Sequence, residues 1–318
     1  MSDLYLVTGG AGFIGSHIVK RLVTCGDRVR VIDNLCTGKI ERLASVRSAI
    51  DFIQADLGDP QACDRAVNGA TFVLHQAAIP SVQRSIRDPL ASNHANITAT
   101  LNLLESCRKN GVRRLVYAAS SSAYGNTAVL PKQEDMTANP LSPYALQKFV
   151  GEQYGRMYHD LFGLETVSLR YFNVFGPSQD PHSEYSAVIP KFIDQLLQGQ
   201  RLTVFGDGEQ SRDFTYVDNV VEANILALSA TGASGRVFNI GCGSRISLNS
   251  LIRQLEKILE VTAQVEYLPP RTGDVRDSLA DVSLAKNVLA FQPLVSLEDG
   301  LRRTVEWFRA AGRGDLVR

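Results

Sequence analysis

The sequence predicts an α/β fold, a doubly wound parallel sheet followed by a smaller α+β lobe. Three observations carry that prediction. Short apolar runs alternate with helical patterns through the first 175 residues. The first run leads into a glycine-rich turn and a helix, and the next ends in an acid. Beyond residue 176 the texture changes to short elements parted by charged, Pro- and Gly-bearing turns. Alternation of this kind places helices on both faces of a parallel sheet.

The elements follow in order. Leu4-Tyr5-Leu6-Val7-Thr8 is a short apolar run of strand character. GGAGFIG comes next, with Gly9, Gly12 and Gly15 three residues apart. Phe13, Ile14, Ile18, Val19 and Leu22 then recur at helical spacing. Val29-Arg30-Val31-Ile32 ends in Asp33. Strand, glycine turn, helix, strand and terminal acid make a Rossmann dinucleotide-binding unit. The glycines let backbone approach a pyrophosphate whose charge sits at the helix N-terminus. Asp33 is placed to accept hydrogen bonds from the adenosine ribose, which favours NAD over NADP. Strands are expected at 4–8, 28–33, 51–55, 71–75, 113–119 and 164–171, and helices at 13–25, 93–110 and 142–162. Cofactor and substrate should meet beyond the strand C-termini. Asp56, the Ala77-Ala78 pair and Ser120 all follow a strand there, although strand ends carry small and polar residues routinely.

The domain reading is a cofactor domain over 1–175 and a mainly substrate-binding lobe over 176–318, with some later segments returning to the first. GPSQDPHSEYS at 176–186 reads as the loop between them. The final segment, SLEDGLRRTVEWFRAAG, carries a Leu301, Val305 and Phe308 stripe that suits core packing.

Composition narrows the partners. The 318 residues hold 33 basic and 33 acidic side chains, for a net charge of zero. No basic stripe points to nucleic acid, and no long apolar run points to a membrane. The first strand begins at once, which leaves no room for a leader. Cys25, Cys36, Cys63, Cys107 and Cys242 are scattered with no C-x-x-C, and read as reduced thiols of a cytoplasmic protein. The five histidines show no metal spacing, so no metal is expected.

The chemistry is expected at Tyr144 and Lys148, four residues apart in SPYALQKFVGE. On a helix both project from one face. A phenol has an ordinary pKa of about 10, and an adjacent ammonium lowers it. The pair is then a general acid–base for a sugar or alcohol hydroxyl. Taken alone, such a pair is more often a surface Tyr beside a surface Lys; the nucleotide-binding start changes that balance.

Six ordered motifs carry a family resemblance: TGGAGFIG, Asp33-Asn34-Leu35, SSSAYG, Tyr144 with Lys148, LRYFNVFGP, and RTGD from Arg271 to Asp274. Together they resemble an extended short-chain dehydrogenase/reductase over nearly the whole chain. Within it the chain is similar to nucleotide-sugar 4-epimerases, with AASSSAYG, NPLSPYA and LRYFNVFGPSQDP nearest to the UDP-N-acetylglucosamine enzymes.

The resemblance implies Ser120, Tyr144 and Lys148 as catalytic. It implies Gly9, Gly12, Phe13, Ile14, Gly15, Asp33, Asn34, Asp56, Leu57, Ala77, Ala78, Asn96 and Tyr171, together with Tyr144 and Lys148, as NAD-binding. For the UDP-sugar it implies Ser81, Arg84, Ser120, Ser121, Ser122, Tyr144, Asn173, Ala187, Val188, Val204, Phe205, Arg212, Arg271, Asp274 and Ser278. Arg212 and Arg271 would hold the diphosphate, and Asp274 the uridine ribose. Tyr144 as phenolate would take the 4-OH proton while C4 gives up hydride, and return of hydride to the turned-over 4-ketone would invert C4.

Ser121 and Ser122 stand where related dehydratases and decarboxylases carry acids, so those reactions are disfavoured. Ser278 aligns with a position that gates the sugar pocket and leaves room for an N-acetyl group. UDP-GlcNAc and UDP-GalNAc are the expected substrates, with UDP-glucose/UDP-galactose or UDP-glucuronate as alternatives. A non-catalytic NAD or nucleotide-sugar binder is the alternative of another class; its usual mark is a lost Ser, Tyr or Lys, and all three are present. Related enzymes pair as homodimers through helices near 93–110 and 142–162, which makes Ala99, Leu103, Val150 and Tyr154 candidates for that contact.

Overall fold

The computed structural model describes residues 3–182, 187–270 and 275–314. Its first half runs β1 (Leu4–Thr8), α1 (Phe13–Thr24), β2 (Arg28–Asp33), β3 (Ile50–Gln54), α2 (Pro60–Val67), β4 (Phe72–His75), α3 (Val82–Arg87), α4 (Pro89–Asn93), α5 (Ala99–Lys109), β5 (Arg114–Ser120), α6 (Pro143–Phe162) and β6 (Glu165–Tyr171). The second half runs β7 (Val174–Phe175), α7 (Val188–Leu197), β8 (Leu202–Phe205), β9 (Ser211–Arg212), β10 (Thr215–Tyr216), α8 (Val217–Ser229), β11 (Arg236–Ile240), β12 (Ile246–Ser247), α9 (Leu248–Leu259), β13 (Val265–Leu268), α10 (Ser283–Leu289) and α11 (Leu297–Gly314).

Seven strands form one parallel sheet in the order β11-β6-β5-β4-β1-β2-β3. The order turns back on itself between β1 and β4, which is where an open α/β sheet leaves its crevice. Register aligns the chemistry along one edge: Thr8 lies opposite His75, and Ser120 opposite Tyr171. One face is covered by α1, α8 and α10 through Ile18, Val220, Ala223 and Leu289. The other is covered by α2, α5 and α6 through Ala62, Leu103 and Tyr158. The lobe has its own core, in which α7, α9 and α11 pack Phe192, Leu251, Leu255 and Leu301.

The chain crosses between these bodies more than once. α8 and β11 belong to the sheet body, and α10 packs on it as well. The single helix expected at 93–110 is instead α4, a π-type turn at His94–Thr98, and α5. Buried Asn96 explains the interruption. Its amide donates to Gln147 Oε1 at 2.8 Å and its oxygen accepts from Ile79 N at 2.8 Å, so tertiary bonding sets the turn. A 3₁₀ helix at Ile40–Ala49, together with α2 and α3, was not anticipated. Ala99 and Leu103 face the core and present no free surface. Among the described residues no helix is long and apolar enough to cross a membrane.

Candidate active site

The glycine turn is crowded in the way that a close-bound ligand requires. A Cβ on Gly9 would lie 2.7 Å from Ala77 backbone, and one on Gly15 would lie 2.2 Å from Gly9 O. Gly9 also sits at φ +64°, a left-handed value that favours glycine. No side chain caps α1 at Gly12 and no acid stands in its first turn. By contrast α2, α6 and α9 are capped by Asp59, Ser142 and Ser247. The uncapped N–H groups at Phe13 and Ile14 suit an anionic pyrophosphate.

Asp33 closes the turn by accepting from Ala11 N at 2.9 Å and Leu35 N at 2.8 Å. Burial pushes its carboxyl above the usual range while those bonds pull it back. Asn34 donates to Asp56 Oδ2 at 2.7 Å, and Gly58 N donates to Asp56 Oδ1 at 2.6 Å, so Asp56 also shapes the loop that ends in Leu57 and Gly58. A further set of contacts binds the loop after β7 to this region. His17 Nε2 meets Pro177 O at 3.0 Å, Arg42 donates to both Ser178 O and Ala11 O, and Lys39 pairs with Asp180 at 2.9 Å.

Tyr144 and Lys148 sit in the first turns of α6. Ser142 caps that helix and Pro143 starts it. Tyr144 N donates to buried Ser85 Oγ at 3.0 Å, which pins the helix start to α3. Burial raises the Tyr144 phenol above its ordinary value, while the Ser120 hydroxyl beside it lowers it. Ser120 Oγ also lies 2.8 Å from Ser122 Oγ and accepts from Ser122 N. Lys148 is buried, which drives its ammonium down to about 7. Its Nζ lies 4.6 Å from the Tyr117 ring centre. Below it His75 bridges Thr8 Oγ1 at 2.7 Å and Thr100 Oγ1 at 2.9 Å; burial pushes it down to about 3, so it stays neutral.

Asn173, Ala187, Val188, Val204, Phe205 and Arg212 line one cavity of about 310 Å³ between the lobe and the sheet edge. Lys191, Phe192, Thr203, Gln210 and Phe214 share its wall and were missed from the sequence. Asn173 Nδ2 donates to Asp213 O at 2.9 Å. Asp213 N donates to Ser278 O, and Ser278 N to Ser211 O, so the Ser278 segment is laced to both neighbours of Arg212. Buried Asp213 organises this corner, because its carboxylate accepts from Cys242 N, Gly243 N and Ala280 N. Burial raises that carboxyl to about 6. Arg212 Nη1 donates to Ser211 O and Arg276 O. Arg271 and Asp274 lie outside the described residues.

A model of the NAD dependent epimerase/dehydratase family matches residues 5–241. The chain belongs to this family. It is 40% identical to the UDP-glucose 4-epimerase of Mycolicibacterium smegmatis over 96% of this chain and 98% of that one. It is 38% identical to the UDP-glucuronate 4-epimerase of Thermodesulfobacterium geofontis over 95% of each. Among solved structures, the UDP-N-acetylglucosamine 4-epimerase of Methanobrevibacter ruminantium, in complex with UDP-N-acetylmuramic acid, superposes with a TM-score of 0.93 at 41% identity, covering 98% of this chain and all of that one. The protein is an isomerase of the epimerase kind, and its cofactor is NAD.

The residues present fit that cofactor. Gly9, Gly12, Gly15, Phe13 and Ile14 would make the cradle; Ala77 approaches Gly9 directly, and Ala78 follows it. Asn96 bonds to Ile79, Ser92 and Gln147 and so positions the Ala77–Ile79 segment. The Tyr171 hydroxyl is likewise engaged by Asn224 and Gln76. Ser81 caps α3 by accepting from Arg84 N, and the Arg84 side chain is exposed. When bound, NAD would supply a reversible hydride acceptor beside the substrate. Beside that site the chain sets the Tyr144 phenol and, four residues on, a buried cation.

Proposed function

We propose that this enzyme inverts C4 of a UDP-hexose, with UDP-GlcNAc and UDP-GalNAc as its preferred pair. One observation carries the reading: Ser120, Ser122 and Tyr144 bring three hydroxyls together, and the Ser120–Tyr124 turn holds no carboxylate. Such a site can move one proton on and off a sugar oxygen. It lacks the acid needed to expel a neighbouring hydroxyl. Tyr144 as phenolate accepts the 4-OH proton, Ser120 holds that oxygen, and Lys148 favours the phenolate. After the 4-ketone turns over, Tyr144 returns the proton to the C4 oxygen, and hydride regained on the opposite face of C4 would leave that centre inverted. The diphosphate is assigned to Arg212, Arg271 and Asn173, the uridine to Asp274, Ala187, Val188, Val204 and Phe205, and the sugar to Ser81, Arg84, Ser121, Ser122 and Ser278.

The test is incubation of purified protein, without added NAD, with UDP-GlcNAc, UDP-glucose and UDP-glucuronate separately, followed by proton NMR. Fastest interconversion of the acetylated pair is expected. A faster rate on either other sugar assigns the substrate to it, and no turnover of any would leave only a binding role. Ser278→Tyr should lose the acetylated sugars and keep UDP-glucose.

The partner is assigned as a second copy. Leu146, Val150, Met157 and Leu161 form a stripe along α6, and three of them are exposed: Leu146 at 49%, Met157 at 51% and Leu161 at 66%. Light scattering should give twice the monomer mass, and Met157→Glu should halve it.

A further inference from the structure

We propose that Tyr117 is a positioning residue whose ring face seats the buried Lys148 ammonium, keeping it charged without cancelling that charge. The inference rests on the reading of Tyr144 and Lys148 as the reacting pair. Lys148 is 4% exposed, and its Nζ stands 4.6 Å from the centre of the Tyr117 ring. Among the described residues no carboxylate is paired with it; burial alone acts on it. A buried ammonium needs a partner. A carboxylate would hold it but would erase its field at the neighbouring phenol. An aromatic face attracts the cation through its quadrupole and carries no net charge, so the field survives.

The seat is rigid. The Tyr117 ring is 2% exposed, and its hydroxyl donates to Lys148 O at 3.3 Å. Gly151, one turn beyond Lys148, leaves room for that hydroxyl, because a Cβ there would stand 2.3 Å from its oxygen. The His75 ring lies against Tyr117 at 5.5 Å between centroids, locked by Thr8 and Thr100. The titratable groups facing the seat are therefore few. His75 from β4 is neutral, Tyr144 from α6 is the reacting phenol, and Glu152 from α6 is committed to Arg170 at 2.6 Å.

The experiment replaces Tyr117 by phenylalanine and then by phenylalanines of rising fluorine content, which drain the ring quadrupole at nearly constant shape. In each NAD-loaded variant the Lys148 titration is followed by NMR of its labelled Cε, and turnover is measured against pH. Tyr117→Phe should leave both within a few tenths of a pH unit. Fluorination should lower the Lys148 titration stepwise, by about one unit at the end of the series. The acid limb of turnover should move up in parallel, because a less charged lysine leaves the phenol harder to ionise. A Lys148 titration that ignores fluorination overturns the proposal. A titration that moves while turnover does not, or a Tyr144→Phe variant with full turnover, keeps the seat and refutes the role given to the pair.

Discussion

Two buried cations in this protein each lie 4.6 Å from a tyrosine ring, yet they are built for opposite ends. Arg170, over Tyr124, is gripped by Glu152 through two hydrogen bonds of 2.6 and 2.9 Å. Although burial works against it, that carboxylate raises the guanidinium further above its ordinary value. Lys148, over Tyr117, has no such counter-ion among the described residues, and burial lowers it to about 7. A neutralised cation holds β6 to α6, and it has no field left to lend. An unneutralised one costs stability and can act on its neighbour. The missing carboxylate is what separates a structural cation from a chemical one.

The sharpest test removes the group on which Lys148 acts. Tyr144→Phe should lower kcat by about 10²–10⁴, the usual range for a lost acid–base, while NAD content measured after denaturation stays at wild-type level. Retained turnover would make Lys148 as structural as Arg170. Next, Glu152→Gln strands the Arg170 charge and should cost about 3–5 kcal/mol in urea unfolding. Wild-type stability in that variant would erase the contrast from the other side.

A third buried charge offers an intermediate case, since among the described residues Asp213 is satisfied by backbone N–H groups. Asp213→Asn turns an amide N–H toward those donors. KM should rise about tenfold with kcat within twofold, in keeping with about 1.4 kcal/mol of disturbed hydrogen bonding.

The smallest effect is on stability. Lys148→Met should be inactive yet melt about 2–4 °C higher at pH 7, for a gain of about 1 kcal/mol. The sign follows from linkage. The folded lysine titrates near 7 and the unfolded one near 10.5, so the unfolded state binds the extra proton between those values. Wild type therefore gains stability as pH rises, and the variant's advantage, full below pH 7, should vanish towards pH 10.5. Calorimetry at several pH values measures it.

Much of this was legible in the chain. The run from Leu4 to Asp33 declares itself because glycine spacing, helical period and terminal acid agree. SPYALQK reads as a capped helix with both reacting groups on one side. Other features left little trace. Tyr117 in LVYAAS looks like any strand aromatic, since its meaning comes from Lys148, 31 residues on. Asn96 sits in a pattern that favours one continuous helix, and only its bonds to Ile79 and Gln147 break the run. That later segments return to the sheet is expected from the sequence, but that β11 is the strand joining β6 needs tertiary knowledge that local period does not hold. α2 was the avoidable omission, since Asp59 before Pro60 is a start signal of the ordinary kind.

The stitches at Pro177, Ser178 and Asp180 bear on how the dinucleotide comes and goes. His17, Arg42 and Lys39 draw that segment alongside the turn that receives it. One stitch is a surface ion pair, worth about 0.2–1 kcal/mol, and the others are hydrogen bonds of similar worth. Each is weak, but departure has to part them together. Slow exchange of a bound dinucleotide is the expected consequence, and it would cost nothing to a catalyst that regenerates its oxidant in every cycle.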